Sequence, residues 1–155
     1  MTVTYRKSEQ SDWKIVQKLN SEVFEHCGQF DLYLDQNDPY KHESEENYQQ
    51  LVIDPDKFCV IAELDGKPVG YLAGGESNFP YRNNRRGEIL HMGVSPSARS
   101  MGIGSHLVSE FKTWCKEKGL THIAVNAYFS DDDVRNFYEK QGMKPIDITF
   151  EGPLN

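Results

Sequence analysis

The sequence lacks any long apolar run, any low-complexity tract and any linker rich in glycine, proline or serine. Without about 20 consecutive apolar residues no membrane-spanning helix is expected, and the polar N-terminus MTVTYRKSEQ is unlike a signal peptide. We therefore expect a cytoplasmic protein with no membrane partner. Because no linker or repeat divides the 155 residues, they predict a single domain, residues 1–155, with a sizeable core.

Cysteine is also scarce, since only Cys27, Cys59 and Cys115 are present. Their odd number argues against a complete disulfide framework, and their wide spacing matches no zinc-binding pattern. We interpret all three as reduced structural residues, and we expect no metal cofactor.

Basic residues are outnumbered: 17 lysines and arginines stand against 24 acidic residues, for a net charge of −7. An acidic surface repels phosphate backbones, so nucleic acid is excluded as a partner class. Such a surface attracts cations instead. Solubility is the simpler explanation of the charge and, on charge alone, the favoured one.

Hydrophobic spacing predicts a strand followed by two helices in the first third of the chain. Alternation predicts the strand over residues 2–6, and apolar residues at helical spacing predict a helix over 13–23 that is capped by Ser11 or Asp12. A second helix is predicted over 43–52, before an Asp-Pro pair.

The middle of the chain predicts three strands and a helix. Two β-rich runs flank Asp65-Gly66, which is a strong hairpin signal, and GEILHMGV predicts the next strand. The stretch VSPSARSMGIGSHLVSEF then leads into a helix that ends at Gly119. HIAVNAYF follows, and its apolar content predicts a strand buried on both faces.

The last part of the chain predicts a helix and a strand. Ser130 and Asp133 form a predicted capping box for a helix that ends at Gly142, and a final strand is predicted over 144–150. The predicted fold class is α/β with a mixed sheet, in the order β-α-α-β-β-β-α-β-α-β. The order indicates antiparallel strands first and one parallel crossover later.

The glycine-rich turn before the helix has several possible explanations. A dinucleotide-binding fold needs the pattern G-x-G-x-x-G, but Leu107 stands where a third glycine would follow Gly102 and Gly104. A Walker A loop needs a lysine that is absent. A plain structural turn is one alternative that stays open. The other is a cradle for a diphosphate, because glycines at a helix start let backbone N–H groups approach an anion.

Three blocks of the sequence together resemble one family. Arg99-x-x-Gly102-x-Gly104, the preceding GEILHMGVSPSAR and the following DDDVRNFYEKQGM are similar to the GCN5-related N-acetyltransferases (the GNAT family), closely from about residue 58 to residue 143. The resemblance implies the GNAT acyl-CoA N-acyltransferase fold. In that fold two splayed parallel strands, here HMGV and HIAVNAY, hold acetyl-CoA as the co-substrate.

The resemblance also implies which residues contact the cofactor. Backbone N–H groups of residues 101–105, with Arg99 beside them, would bind the pyrophosphate, and the backbone of residues 92–94 would pair with the pantetheine arm. Many members have asparagine where Asp131 stands, so Asn126 offers an alternative polar contact. The matching positions are Met92, Gly93, Val94, Arg99, Ser100, Met101, Gly102, Ile103, Gly104, Ser105, Asn126, Asp131 and Tyr138.

Two residues match catalytic positions of the family. Tyr138 matches a tyrosine that returns a proton to the leaving thiolate, although a packing role alone would also suit its helical face. Glu88 matches a glutamate base, with proton removal through water as the alternative. Strict strand alternation predicts that Glu88 shares a face with Met92 and that His91 lies on the opposite face as a buried structural residue.

The family places much of its acceptor site in the region of the first two helices. Carboxylates with aromatic residues suit a cationic amine, although for any single residue a solvated acidic face with scattered core aromatic residues is the favoured interpretation. The candidates are Glu22, Glu25, Phe30, Asp31, Tyr33, Asp35 and Tyr40.

The expected activity is transfer of an acetyl group from acetyl-CoA to the amine of a small, cationic acceptor, by direct transfer in a ternary complex. Three alternatives stay open: a non-catalytic acyl-CoA sensor, a protein or peptide amine as the acceptor, and a domain that binds NAD or ATP. A homodimer is possible, because dimers are common in the family.

Overall fold

The structure is a computed structural model and describes residues 1–154. Nine helices and strands of four or more residues form this part of the chain, together with three short 3₁₀ turns. They are β1 (Val3–Lys7), α1 (Trp13–Cys27), α2 (His42–Leu51), β2 (Lys57–Leu64), β3 (Lys67–Ser77), β4 (Arg86–Val94), α3 (Ile103–Glu117), β5 (His122–Val125) and α4 (Asp132–Lys140).

One five-stranded sheet organises these elements in the order β1-β2-β3-β4-β5. The first three pairs are antiparallel, and β5 is parallel to β4 because α3 crosses over between them. Asp65 and Gly66 both have positive φ, 50° and 78°, as the primed two-residue hairpin turn requires. The predicted α/β class with a mixed sheet is confirmed.

The sheet separates two hydrophobic cores. On one face α3 packs its buried side chains, such as Leu107 and Phe111, against the sheet. On the other face α1 and α2 pack around Tyr71, whose hydroxyl donates a 2.8 Å hydrogen bond to Asn20 Oδ1. Asn20 in turn donates to the Tyr48 hydroxyl at 2.7 Å, so these buried polar groups satisfy one another.

Three local predictions are wrong. β5 covers only His122–Val125, and its side chains are partly exposed because it lies at the sheet edge rather than inside it. Asp131, and not Ser130 with Asp133, caps α4, since its carboxylate accepts from the Val134 N–H at 3.2 Å. Residues 144–150 form no strand.

Among the described residues, no helix combines the length and the hydropathy needed to cross a bilayer.

Candidate active site

An opening between two parallel strands is the main feature of the site. β4 and β5 pair only from Arg86–His122 to Ile89–Val125, after which β5 ends while β4 continues to Val94. Residues 90–94 therefore have no strand partner on that side within the described chain. We call the space between residues 90–94 and residues 126–128 the β4–β5 opening.

A β-bulge lies at the start of this opening. Ile89 is opposite Gly74 and His91 is opposite Ala73, so Leu90 is an extra residue between two paired positions. A bulge reverses the alternation of side chains beyond it. Both Ile89 and Met92 consequently pack on the α3 side of the sheet.

The bulge corrects the predicted position of Glu88. Gly87 lies close to the Cys115 sulfur on the α3 side, so Glu88, the next residue, faces α1 and α2. His91 lies on that same face, with its ring 6.1 Å from the ring of Tyr48. The prediction that Glu88 shares a face with Met92, opposite His91, is wrong. Burial lowers the pKa of His91 below its ordinary value, which keeps its imidazole neutral at pH 7.

The glycine turn lies at the end of β4 and begins α3. Ser100 and Gly102 both have positive φ, 63° and 78°, and helical hydrogen bonding starts with the His106 N–H donating to the Gly102 carbonyl at 3.0 Å. The backbone N–H groups of residues 103–105 precede that first bond and so have no partner within the helix. Arg99 donates from Nε to the Val94 carbonyl at 3.1 Å, which places its guanidinium beside the turn.

Gly104 lies where the turn meets the rest of the site. A Cβ at this position would lie 3.2 Å from both Met92 Cε and Phe137 Cζ, so the start of α3 packs closely against β4 and α4. Gln141 Nε2 also donates to Ser105 Oγ at 3.0 Å. These contacts hold the glycine turn and the end of α4 beside the same stretch of β4.

Tyr138 points from α4 towards β4. Its hydroxyl lies 3.7 Å from the sulfur of Met92, at the wall of the β4–β5 opening. Burial, with a smaller contribution from the thiol of Cys27, raises the pKa of Tyr138 to about 12. The phenol is therefore fully protonated at neutral pH and available as a proton donor.

Asp131 joins α4 to the end of α1. One carboxylate oxygen caps α4, and the other lies 2.7 Å from His26 Nε2. Both oxygens of Asp131 are thus occupied by the protein's own groups. Asn126, the alternative polar contact, is exposed and lies one residue beyond β5.

A cluster that the sequence did not reveal lies across the opening. Tyr128, which follows β5, donates a 2.7 Å hydrogen bond to Asp31, and its ring lies 6.4 Å from that of Phe30. The hydrogen bond from Tyr128 holds the pKa of Asp31 below its ordinary value, and the same bond raises the pKa of Tyr128 to about 12. The acid is thus ionised and the phenol neutral at pH 7.

Nothing in the local pattern marks His26 as a partner of Asp131, or Tyr128 as a partner of Asp31. His26 is in the last turn of α1, and its partner Asp131 is 105 residues away. The signal that was available is the position of Tyr128 three residues after the end of the second parallel strand, because ligand-binding residues often follow such strand ends.

The seven acceptor candidates divide into two groups. Phe30 and Asp31 lie in the cluster just described, and Glu22 accepts a 2.6 Å hydrogen bond from Ser95 Oγ at the end of β4. The others are not drawn into the opening by any hydrogen bond among the described residues. Asp35 pairs with Lys41 at 2.6 Å, Tyr40 donates to Ser21, and Glu25 and Tyr33 are exposed.

The described residues contain no group of three or more histidine, cysteine, aspartate or glutamate side chains placed to hold a metal ion.

A comparison of the chain with known protein families and known structures gives consistent matches. The acetyltransferase (GNAT) family model matches residues 17–143, which is most of the chain. A variant of the BH1408 protein from Bacillus halodurans has a similar structure, with a TM-score of 0.82 at 20% identity over 100% of both chains. No curated protein matches the sequence significantly.

Two further structures share the fold. A GCN5-related N-acetyltransferase from Ralstonia eutropha has a TM-score of 0.79 at 21% identity, over 98% of this chain and 99% of its own. An aminoglycoside acetyltransferase from an uncultured soil metagenomic sample has a TM-score of 0.73 at 22% identity, over 99% of this chain and 97% of its own.

Proposed function

The chain belongs to the acetyltransferase (GNAT) family and is an acyltransferase, and from this premise we propose that it transfers acetyl from acetyl-CoA to the amine of a small cationic acceptor. The observation that carries the proposal is the β4–β5 opening. It has a glycine turn with free N–H groups at one end and a protonated tyrosine, Tyr138, on its wall.

We assign the cofactor to the opening on chemical grounds. The family generally uses acetyl-CoA, which supplies an activated acetyl thioester. The N–H groups of residues 101–105, with the guanidinium of Arg99, would bind its diphosphate, because a helix N-terminus and a cation both attract anions. The backbone of residues 92–94, which has no strand partner on the β5 side, would bind the amide-rich arm as an added strand does. A backbone N–H of Met92 or Gly93 would stabilise the charge on the thioester oxygen.

Tyr138 is the proposed general acid. A phenol with a pKa near 12 keeps its proton at neutral pH, and a thiolate has an ordinary conjugate pKa of about 8.5, so it is a weaker base than the phenolate. Proton transfer from Tyr138 to the thiolate is therefore uphill. It becomes favourable when hydrogen bonds stabilise the phenolate or when water supplies the proton that Tyr138 gives up. The 3.7 Å contact of the Tyr138 hydroxyl with the Met92 sulfur supports the proposal, because Met92 is one of the residues that border the opening.

Glu88 is the proposed base, with water as the alternative. An alkylammonium ion has a pKa near 10.4 and must lose a proton before its nitrogen can attack. Glu88 lies on the α1 and α2 face of β4, immediately before the Leu90 bulge. That position is on the side from which an amine held by the α1 region would enter.

The acceptor is proposed to be cationic because of Asp31. Its carboxylate is ionised, partly exposed and bonded to Tyr128, whose ring lies 6.4 Å from that of Phe30. A carboxylate beside aromatic rings suits an alkylammonium group by charge pairing and cation–π contact. The aminoglycoside acetyltransferase has the same fold, and its named substrate class carries such amines. A protein or peptide amine is the second candidate acceptor.

The first test is a thermal-shift comparison with acetyl-CoA, CoA, NAD and ATP. A ligand at about 100 times its dissociation constant adds about 2.7 kcal/mol to stability, which is a shift of several degrees for a domain of this size. We expect a rise with acetyl-CoA and CoA. A rise only with NAD or ATP would refute the assignment.

The second test measures free thiol released from acetyl-CoA in the presence of polyamines, aminoglycosides and a peptide with a free N-terminus. We expect release with one of the first two classes. Release with the peptide alone would move the acceptor to the protein class. Binding of acetyl-CoA without release by any amine would favour a sensor.

A further inference from the structure

Ser105, in the first turn of α3, has a hydroxyl proton that no group of the described chain accepts. Gln141 Nε2 donates a hydrogen bond to Ser105 Oγ at 3.0 Å, so this oxygen acts as an acceptor. A serine hydroxyl keeps one proton to donate while its lone pairs accept. Thr113, further along the same helix, donates its proton to the Ser109 carbonyl four residues earlier at 3.2 Å, and Ser105 makes no such bond among the described residues. The Ser105 proton is therefore available to a ligand.

Gln141 is held in place by hydrogen bonds at both of its backbone groups. Its N–H donates to the Tyr138 carbonyl at 3.0 Å at the end of α4, and its carbonyl accepts from Lys112 Nζ. Ser105 and Lys112 are seven residues apart, which is about two turns of α3, so they lie on the same face of that helix. Gln141 thus contacts this face at two points and is half-buried there. Its side chain reaches Ser105 from a fixed backbone position.

The free hydroxyl proton lies among other free donors at the start of α3. The backbone N–H groups of residues 103–105 have no partner within the helix, and the Ser105 side chain is exposed. The chain carries a net charge of −7, so a diphosphate has to be bound by local donors against an unfavourable overall charge. One more donor beside the N–H groups strengthens such a site, because hydrogen bonds to a charged acceptor are stronger than those between neutral groups.

We propose that Gln141 is a positioning residue for the cofactor, which acts by directing the Ser105 hydroxyl to donate to the diphosphate. This inference rests on the proposed function, because the diphosphate is that of the acetyl-CoA assigned to the glycine turn. A hydroxyl that accepts from the Gln141 amide does not donate to it, so its proton is directed elsewhere. Gln141 itself does not contact the cofactor.

The first test compares two acetyl donors, acetyl-CoA and the acetyl thioester of pantetheine, which has the same reactive group and no diphosphate. In Gln141→Glu the new carboxylate only accepts hydrogen bonds, so it takes the Ser105 proton and places a negative charge beside the diphosphate. We expect kcat/KM for acetyl-CoA to fall about tenfold, as the loss of one hydrogen bond to a charged group implies. The kcat at saturating acetyl-CoA and the kcat/KM for acetyl-pantetheine should not change.

The second test separates orientation of the hydroxyl from simple charge repulsion. Gln141→Met removes the amide donor without adding a charge, and Ser105→Ala removes the hydroxyl. We expect Gln141→Met to lower kcat/KM for acetyl-CoA about threefold in the wild-type background and to have no effect in the Ser105→Ala background, because the two residues act as one unit. Circular dichroism and thermal unfolding check that each variant is folded.

The outcomes separate this inference from the function on which it rests. Equal losses with both thioesters, or the same effect of Gln141→Met in both backgrounds, would overturn the role of Gln141 and leave the acetyltransferase proposal intact. A wild type that binds neither acetyl-CoA nor CoA would overturn both. Dissociation constants of CoA and pantetheine, measured for the same variants, give the same comparison without turnover.

Discussion

Tyr138 has the environment of a group that keeps its proton and still reaches the reaction space. It is held on α4 by its burial, and its hydroxyl meets Met92 rather than a carboxylate. A carboxylate partner would have accepted the hydrogen bond of this hydroxyl, which the proposed general acid needs to direct at the leaving thiolate. The same side chain can therefore both pack against its neighbours and take the proposed role of general acid, so the two interpretations of its helical position are compatible.

Tyr138→Phe should lower kcat about 100-fold, because a positioned general acid contributes 10²- to 10⁴-fold. The KM for acetyl-CoA should change little, since the ring still fills its place. Steady-state kinetics on the best acceptor measure both constants. Tyr81→Phe is the matched control, because Tyr81 is an exposed tyrosine in the β3–β4 loop. Equal activity of Tyr138→Phe and the wild type would remove Tyr138 from the mechanism.

α4 depends on a cap that also ties it to another element. Asp131 accepts from the Val134 N–H with one oxygen and contacts His26 on α1 with the other. Removing the side chain leaves an uncapped helix and an unpaired His26. The position of Tyr138 depends on this helix, so the cap contributes to the site without contacting a substrate.

Asp131→Ala should reduce the free energy of unfolding by about 1–2 kcal/mol, the range of N-cap replacements. Ser130→Ala, one residue earlier, should leave it unchanged within about 0.5 kcal/mol. Urea unfolding of both variants at pH 7 measures the difference. Equal loss in both variants would restore the capping box that the sequence predicted.

Beside the bulge in β4, the backbone of β3 at Gly74 lies very close both to β4 and to α3. A Cβ at Gly74 would lie 2.6 Å from the Glu88 carbonyl oxygen and 2.7 Å from a ring carbon of Phe111. Neither group can move away easily, because one is backbone and the other fills the core.

Gly74→Ala should therefore cost about 1–3 kcal/mol of stability by overpacking. Gly152→Ala, at which a Cβ meets nothing within 4 Å, is the control and should be neutral. Thermal unfolding of the two variants measures the costs. A neutral Gly74→Ala would mean that the strand pairing around the bulge differs from the one described.

One charged cluster joins β1, β2 and the residue that precedes α1. Arg6 on β1 donates two hydrogen bonds to Asp12, at 2.7 and 3.0 Å, and a third to Glu63 on β2 at 2.8 Å. Asp12 precedes α1, so the cluster joins the edge of the sheet to the first helix. The hydrogen bonds from Arg6 lower the pKa of Asp12 below its ordinary value.

A lowered folded-state pKa means that Asp12 contributes stability above its unfolded pKa, about 3.9, and loses it as the pH falls through the folded value. Asp12→Asn should cost about 1–2 kcal/mol at pH 7, at the lower end for charged hydrogen bonds because Arg6 is partly exposed. The difference from the wild type should shrink as the pH falls below about 3.9, where the unfolded chain binds a proton that the folded Asp12 does not. Asp56→Asn, an exposed control, should show no such convergence. Urea unfolding from pH 2 to 7 measures it.

Local sequence patterns were sufficient for most elements of the fold. The Asp65-Gly66 turn, the helical spacing of α1 and α3, and the glycine turn with its flanking blocks depend on neighbours within a few residues. Such features can be read from a single chain, because backbone conformation and side-chain period are local properties. The resemblance to the family rests on the glycine turn and its flanking blocks, and the order of the predicted elements indicates the mixed sheet.

Long-range pairing determined the rest. The extra residue at Leu90 exists because β4 pairs with β3 across a bulge, and it moves Glu88 to the face of α1 and α2. His26 meets Asp131, and Asp31 meets Tyr128, only because the sheet brings segments about 100 residues apart together. The alternating residues 144–150 have the pattern of a strand, but a strand also needs a partner strand, and these residues pair with none among the described residues. Contacts between distant segments depend on the whole fold, and no local pattern encodes them.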